Sequence, residues 1–253
     1  MSGRRSTPCC RRRAASPTPA ICWPEPKGET MTSLSVVPYP MPDAASLPDG
    51  GPSWRIDPCR AALVVQHMQE YVLRALRETA PVAELLDNIS RLAETARCFG
   101  VPVVYVTRIP GSRSVGGEGP GPVFPAPVPL APPTEADARA VVDVLRPEAG
   151  DTVLTAKRYS AFAGTRLRSR LKELGRDQVV VVGAAARTDV LLTAADAWMQ
   201  DLEPFVVADA MADRTAADHT MAVHWLAATC ATVTVTEAVR AELRGRPADT
   251  TAV

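Results

Sequence analysis

RDQVVVVGAAARTDVLLTAADAWMQDLEPFVVADAMAD, residues 176–213, is the stretch that decides the fold. Val179 to Val182 are four consecutive valines, too apolar for a strand with one wet face. Such a run suits a parallel strand buried on both faces. Gly183 breaks it, and Thr193 to Gln200 then carries helix-forming alanines, with Pro204 just beyond. Phe205 to Ala208 is a second short apolar run. Strand, crossover helix and parallel strand make one βαβ unit. Open parallel sheets bind ligands at the carboxyl ends of their strands, which puts the expected site at Gly183–Val190.

Working outward, Ala61 to Val65 reads as a short buried strand, with Gln66-His67-Met68-Gln69 at its carboxyl end. Val82 to Phe99 places Val82, Leu85, Leu86, Ile89, Leu92, Ala93 and Ala96 on one helical face, with Gly100 as the stop. Val101 to Val106 is the next strand. Residues 110–133 are crowded with Gly and Pro and form a long loop. Thr134 caps an expected helix to Leu145, with Glu135 and Asp137 in its first turn. Asp151 to Thr155 is a strand, and Ser160 to Leu174 a helix closed by Gly175. Ala216 to Cys230 is a helix and Ala231 to Thr236 a final strand. The expectation is an α/β fold: a three-layer Rossmann-like sandwich around a mostly parallel, doubly wound sheet of about six strands. Residues 1–32 form a basic, Pro-rich extension, read as disordered or as preceding a true start at Met31. Residues 33–59 are an extended Pro-rich arm, 60–240 the globular domain and 241–253 a flexible tail.

The 253 residues balance 28 Lys plus Arg against 28 Asp plus Glu, which argues against nucleic acid as an electrostatic partner. No apolar run approaches a membrane span, so no membrane partner is expected. The six cysteines form no CxxC pair and have no histidine at zinc spacing, and are read as reduced cytoplasmic thiols. Cys98 and Cys230 are expected to be buried. His219 and His224 lie five apart, which does not put both on one helical face as a metal pair. There is no GxGxxG after the first strand, and no GxxxxGK[ST] or GxSxG. No metal and no cofactor is expected.

RAALVVQHMQEYVL (60–73), TVLTAKRYSAFAGTRLRSRLKELGRDQVVVVG (152–183) and DAWMQDLEPFVVADAMAD (196–213) together resemble the isochorismatase-like hydrolase family. The likeness is greatest to its phenazine-pathway branch, which acts on 2-amino-2-deoxyisochorismate. The resemblance implies a dimer with a site at the strand ends. It implies cleavage of an enol-pyruvyl ether, in which a carboxylic acid protonates the vinyl carbon and water adds to the oxocarbenium. Against the family's HDMQ the chain reads QHMQ, so His67 stands at the acid's position and Gln66 at the histidine's. Against KWRYSAF it reads AKRYSAF, which puts Ala156 at the lysine. Ile109 falls at a substrate-binding glutamine, beside Arg108. Asp189 stands where amidohydrolase relatives carry a nucleophilic cysteine and vinyl-ether hydrolases a glycine.

His67 is a candidate acid or base because imidazole titrates near neutral pH. Asp189 is expected to pair with it or to take over the acid role, or else to be a solvated turn aspartate or a helix cap. Arg108, Arg158 and Arg187 are candidates for bidentate capture of a substrate carboxylate, or else surface ion pairs. Tyr71, Tyr159 and Phe162 match family positions near the ligand. Lys157 follows Ala156, and successive strand residues point to opposite faces, so if the strand continues through 157 it does not simply replace the missing ammonium. The expected function is hydrolysis of a small chorismate-derived or related cyclic carboxylate in secondary metabolism, by a cytoplasmic homodimer. The alternatives are a catalytically silent binding subunit, and a non-hydrolytic reaction with His67 as acid or base.

Overall fold

The computed structural model describes residues 38–108 and 140–245. The strands are β1 (Ala61–Gln66), β2 (Val103–Arg108), β3 (Thr152–Ala156), β4 (Gln178–Ala184), β5 (Glu203–Ala212) and β6 (Thr232–Thr234). They form one six-stranded sheet in the order β3-β2-β1-β4-β5-β6, parallel at every pairing. Chain order reverses between β1 and β4, which leaves a crevice beyond the carboxyl ends of those two strands.

The helices are α1 (Glu70–Leu76), α2 (Val82–Cys98), α3 (Leu167–Glu173), α4 (Leu191–Met199), α5 (Ala216–Thr229) and α6 (Thr236–Leu243). The alternation of side chains along each strand divides the core in two. Leu63, Val65, Val180 and Val182 pack with Leu85, Ile89, Leu92 and Val239 on the face covered by α1, α2 and α6. Ala62, Val64, Val179 and Val181 pack with Leu167, Leu171, Ala194 and Leu226 under α3, α4 and α5. The valine run is thus buried on both faces, as a central parallel strand requires.

The arm over residues 38–59 lies on the domain. Trp54 packs edge-on against Phe205, ring centroids 6.3 Å apart. Buried Gln178 clamps it by accepting from the Asp57 amide (2.7 Å) and donating to the Arg55 carbonyl (2.8 Å).

Several boundaries differ from the sequence reading. The helix expected over Ser160–Leu174 begins only at Leu167. Ahead of it, Ser160 Oγ donates to Asp196 (2.6 Å) and accepts from the Phe162 amide, while Thr165 Oγ1 donates to the Ala161 carbonyl (2.6 Å). These side-chain bonds compete with helical pairing. Of the helix expected over Thr134–Leu145, residues 134–139 lie outside the described residues, and Asp143–Leu145 is a single 3-10 turn. Val141 bridges to Gln69 and the Val142 amide donates to the Met68 carbonyl (2.9 Å), which holds this segment extended. The tail begins later than expected, because α6 runs to Leu243, whose side chain is buried. Cys98 is exposed at the end of α2 rather than buried, whereas Cys230 is buried. Helix α1 was not anticipated, although Leu73 and Leu76, three apart, are its buried residues. The extension over 1–32 and the loop over 110–133 lie outside the described residues.

Candidate active site

Four strand ends meet at the crevice. β1 ends in Gln66, and His67 follows with φ of 48°, in the left-handed region that β-carbon sterics disfavour. The His67 amide still donates to the Val106 carbonyl at 2.8 Å, so the bend turns the ring without releasing the backbone. Close approach of β1 and β4 is possible because residue 183 is glycine. With φ of +116°, a Cβ there would sit 2.1 Å from the Gln66 carbonyl oxygen. β4 continues through Gly183 to Ala184, one residue past the expected break. After a cis peptide bond between Ala184 and Ala185, one π-helical turn, Ala186–Val190, leads into α4.

That turn brings Asp189 inward. Its Oδ1 lies 3.2 Å from His67 Nε2, with the two side chains 3% and 1% exposed. The same oxygen lies 3.3 Å from Arg108 Nη1 at the end of β2. Asp189 Oδ2 accepts from Thr188 Oγ1 at 2.9 Å. Burial pushes His67 down to about 4, with Asp189 opposing the shift and Arg108 reinforcing it. In the protein alone, therefore, the imidazole that faces Asp189 is neutral near neutral pH. Neither His67 ring nitrogen nor Asp189 Oδ1 makes an aligned hydrogen bond among the described residues. Their hydrogen-bonding capacity remains available to a reacting molecule.

Arg108 is held at both ends. Its amide donates to Gln69 Oε1 (3.0 Å), and its carbonyl accepts from Gln69 Nε2 (3.0 Å) and Tyr71 Oη (2.9 Å). Its guanidinium carbon stands 5.0 Å from the centroid of the Tyr159 ring, a cation–π stack. Strand register sets Arg108 beside Ala156, which is buried at the end of β3. β3 ends at Ala156, so Lys157 lies beyond the strand; it is exposed, and its side chain lies over Gly164.

The isochorismatase domain family matches residues 61–238. The chain is 42% identical to the phenazine biosynthesis protein PhzD of Pseudomonas fluorescens, over 83% of this chain and 99% of that one. It is 37% identical to an isochorismatase of Bacillus subtilis, over 87% of this chain and 69% of that one. Among solved structures, an isochorismatase family protein of Desulfovibrio vulgaris superposes with a TM-score of 0.58 at 26% identity, covering 73% of this chain and 98% of that one. The chain belongs to the isochorismatase family.

In this isochorismatase-family hydrolase, His67, Asp189, Arg108, Tyr71 and Tyr159 come together as one connected group. Phe162 packs against the core beneath α3 and α4. Arg187 does not join the group through its side chain: Nη1 pairs with Asp218 on α5 at 3.1 Å, while its amide donates to Asp213 Oδ2 at 2.8 Å. Arg158 is exposed, with Nη1 3.4 Å from the Lys157 carbonyl.

Sequence reasoning missed the supports. Gln66 Nε2 donates to Thr193 Oγ1, which also accepts from the Ala161 amide at 2.9 Å. Thr193 thereby ties β1, the 160–166 turns and α4 together. No sequence signal marked it, whereas Gln66 and Gln69 were visible as polar residues ending an apolar strand. Among the described residues, no three or more His, Cys, Asp or Glu side chains gather as a metal site. No described helix is long and apolar enough to cross a membrane.

Proposed function

We propose that this hydrolase cleaves the enol-pyruvyl ether of a small chorismate-derived cyclic carboxylate, with the His67–Asp189 pair as its proton-transfer group. The observation that carries the reading is the buried 3.2 Å contact between His67 Nε2 and Asp189 Oδ1, with Arg108 on the same oxygen. It lies at the strand ends where α/β sheets bind ligands. The likeness to a phenazine biosynthesis protein and to an isochorismatase supports the substrate class.

In the first step protonated His67, with Nε2 on Asp189, gives its Nδ1 proton to the vinyl methylene carbon. The N–H bond breaks, a C–H bond forms, and the ether becomes an oxocarbenium ion. His67, now neutral, accepts a proton from water as the water oxygen bonds to the cationic carbon. The resulting hemiketal loses its hydroxyl proton to the ring oxygen as the C–O bond breaks, giving pyruvate and a ring alcohol. Asp189 stabilises the imidazolium and fixes the ring's orientation, and Arg108 receives a substrate carboxylate. One buried pair thus serves as acid and then as base.

Pyruvate release from isochorismate and from 2-amino-2-deoxyisochorismate tests the reading. Turnover of at least one is expected. Turnover of neither, with a relative active alongside, would refute vinyl-ether hydrolysis.

A further inference from the structure

The proton that starts the reaction has to come from somewhere. Buried among its neighbours, His67 is held unprotonated near neutral pH, with Arg108 reinforcing that state and Asp189 opposing it. Among the described residues, the charged groups facing the ring are Asp189 from the π-helical turn and Arg108 from β2. Tyr71, on α1, is pushed above its usual range by burial and stays neutral. Gln66 and Gln69 carry no charge.

Asp189 Oδ1 is divided between two partners at nearly equal distance, His67 at 3.2 Å and Arg108 at 3.3 Å. The three members differ in access. The side chains of His67 and Asp189 are 1% and 3% exposed, whereas that of Arg108 is 29% exposed. Arg108 is fixed by its backbone, through Gln69 and Tyr71, while its guanidinium is held by a stack on Tyr159 and by the carboxylate. A stack tolerates sliding of the guanidinium in its own plane better than a set of directed hydrogen bonds would. Arg108 is therefore the member an incoming anion meets first and the one free to change partner.

We infer that Arg108 is a carboxylate-receiving switch: an anionic group captured by its guanidinium draws it off Asp189, and the released carboxylate then holds a protonated His67. This rests on the reading of His67 as proton donor. The loading step takes one proton from solvent onto the imidazole, so anion binding and proton uptake are linked and reciprocal. The consequence is selectivity. A neutral vinyl ether would leave Arg108 on Asp189 and His67 without its proton. A carboxylated one arms the acid as it binds.

The test follows the His67 imidazole by NMR through a pH titration of the full-length protein. The chain has three histidines, and the His67 signal is assigned by its loss in His67→Asn. Benzoate serves as the probe carboxylate. In the wild type, saturating benzoate is expected to raise the His67 midpoint by about one pH unit or more, a tenfold or greater gain in proton affinity. Arg108→Gln should raise it by a similar amount without benzoate and respond no further to it. Arg108→Lys should follow the wild type. A wild-type midpoint unmoved by saturating benzoate would overturn the switch, as would benzoate leaving the spectrum unchanged or Arg108→Gln titrating like wild type. Should Arg108→Gln fail to fold, the wild-type comparison with and without benzoate decides alone. The readout needs no turnover. A midpoint that moves while isochorismate goes unhydrolysed would remove the proposed reaction and leave the switch, and the opposite result would do the reverse.

Discussion

Replacing His67 by Asn should make the protein more resistant to acid. His67 is held at about 4 in the folded chain against 6.5 for an ordinary histidine. Between those values the unfolded chain binds a proton that the folded chain refuses, so stability falls as pH drops through this window. The penalty is absent above about pH 7 and complete below about pH 4. Going from pH 7.5 to pH 5, the linkage amounts to about 2 kcal/mol, at about 1.36 kcal/mol per pH unit of displaced midpoint. For a domain of this size that is a loss of about 4 to 8 °C in Tm. Asparagine suits the position because it tolerates a positive φ better than most residues. Urea unfolding of wild type and His67→Asn at pH 7.5 and pH 5 supplies the comparison. His219, which burial also pushes down, is present in both proteins and cancels in the difference. The wild type should lose about 2 kcal/mol more than the variant on acidification. Equal losses would show that His67 is protonated alike in folded and unfolded chains, and the neutral-imidazole account would fall.

Two substitutions test how the site is held. Gly183→Ala would set a Cβ 2.1 Å from the Gln66 carbonyl oxygen at a φ of +116°. It should cost about 3 kcal/mol or more and part β1 from β4, seen as a lowered calorimetric Tm; an unchanged Tm would refute the close approach. Tyr39 Oη accepts from the Asp213 amide (3.0 Å), donates to the Asp213 carbonyl (3.1 Å) and lies 3.1 Å from His219 Nδ1. Tyr39→Phe should cost about 1–3 kcal/mol and quicken proteolysis of the arm; a wild-type urea midpoint would count against the tie.

What the sequence revealed, and what it hid, follows physical lines. The Val179–Val182 run announced a doubly buried strand because burial on both faces removes alternation, and only a central parallel strand has that environment. Topology alone put the segments carrying His67, Arg108 and Asp189 at the crevice, and the family resemblance singled out those residues within them. Their convergence on one oxygen was not visible. It depends on the left-handed turn at His67 and the π-helical turn at Asp189, neither of which has a periodic signature. Arg187 misled because a basic residue beside the site looks the same in sequence whether it faces substrate or, as here, Asp218. The 160–166 turns misled because Ser160 and Thr165 bond to groups that a sequence window does not contain. The helix through Leu243 was hidden by its charge: only Thr236, Val239 and Leu243 are buried along it.

The central claim is that His67 and Asp189 transfer the proton as one unit. Pyruvate release from isochorismate by wild type, His67→Asn, Asp189→Asn and the double variant tests it most directly. Each single substitution should lower kcat by about 10²- to 10⁴-fold. The double variant should be no slower than the slower single, because groups that act together are lost together. A single variant that keeps the wild-type rate, or losses that multiply in the double, would contradict it.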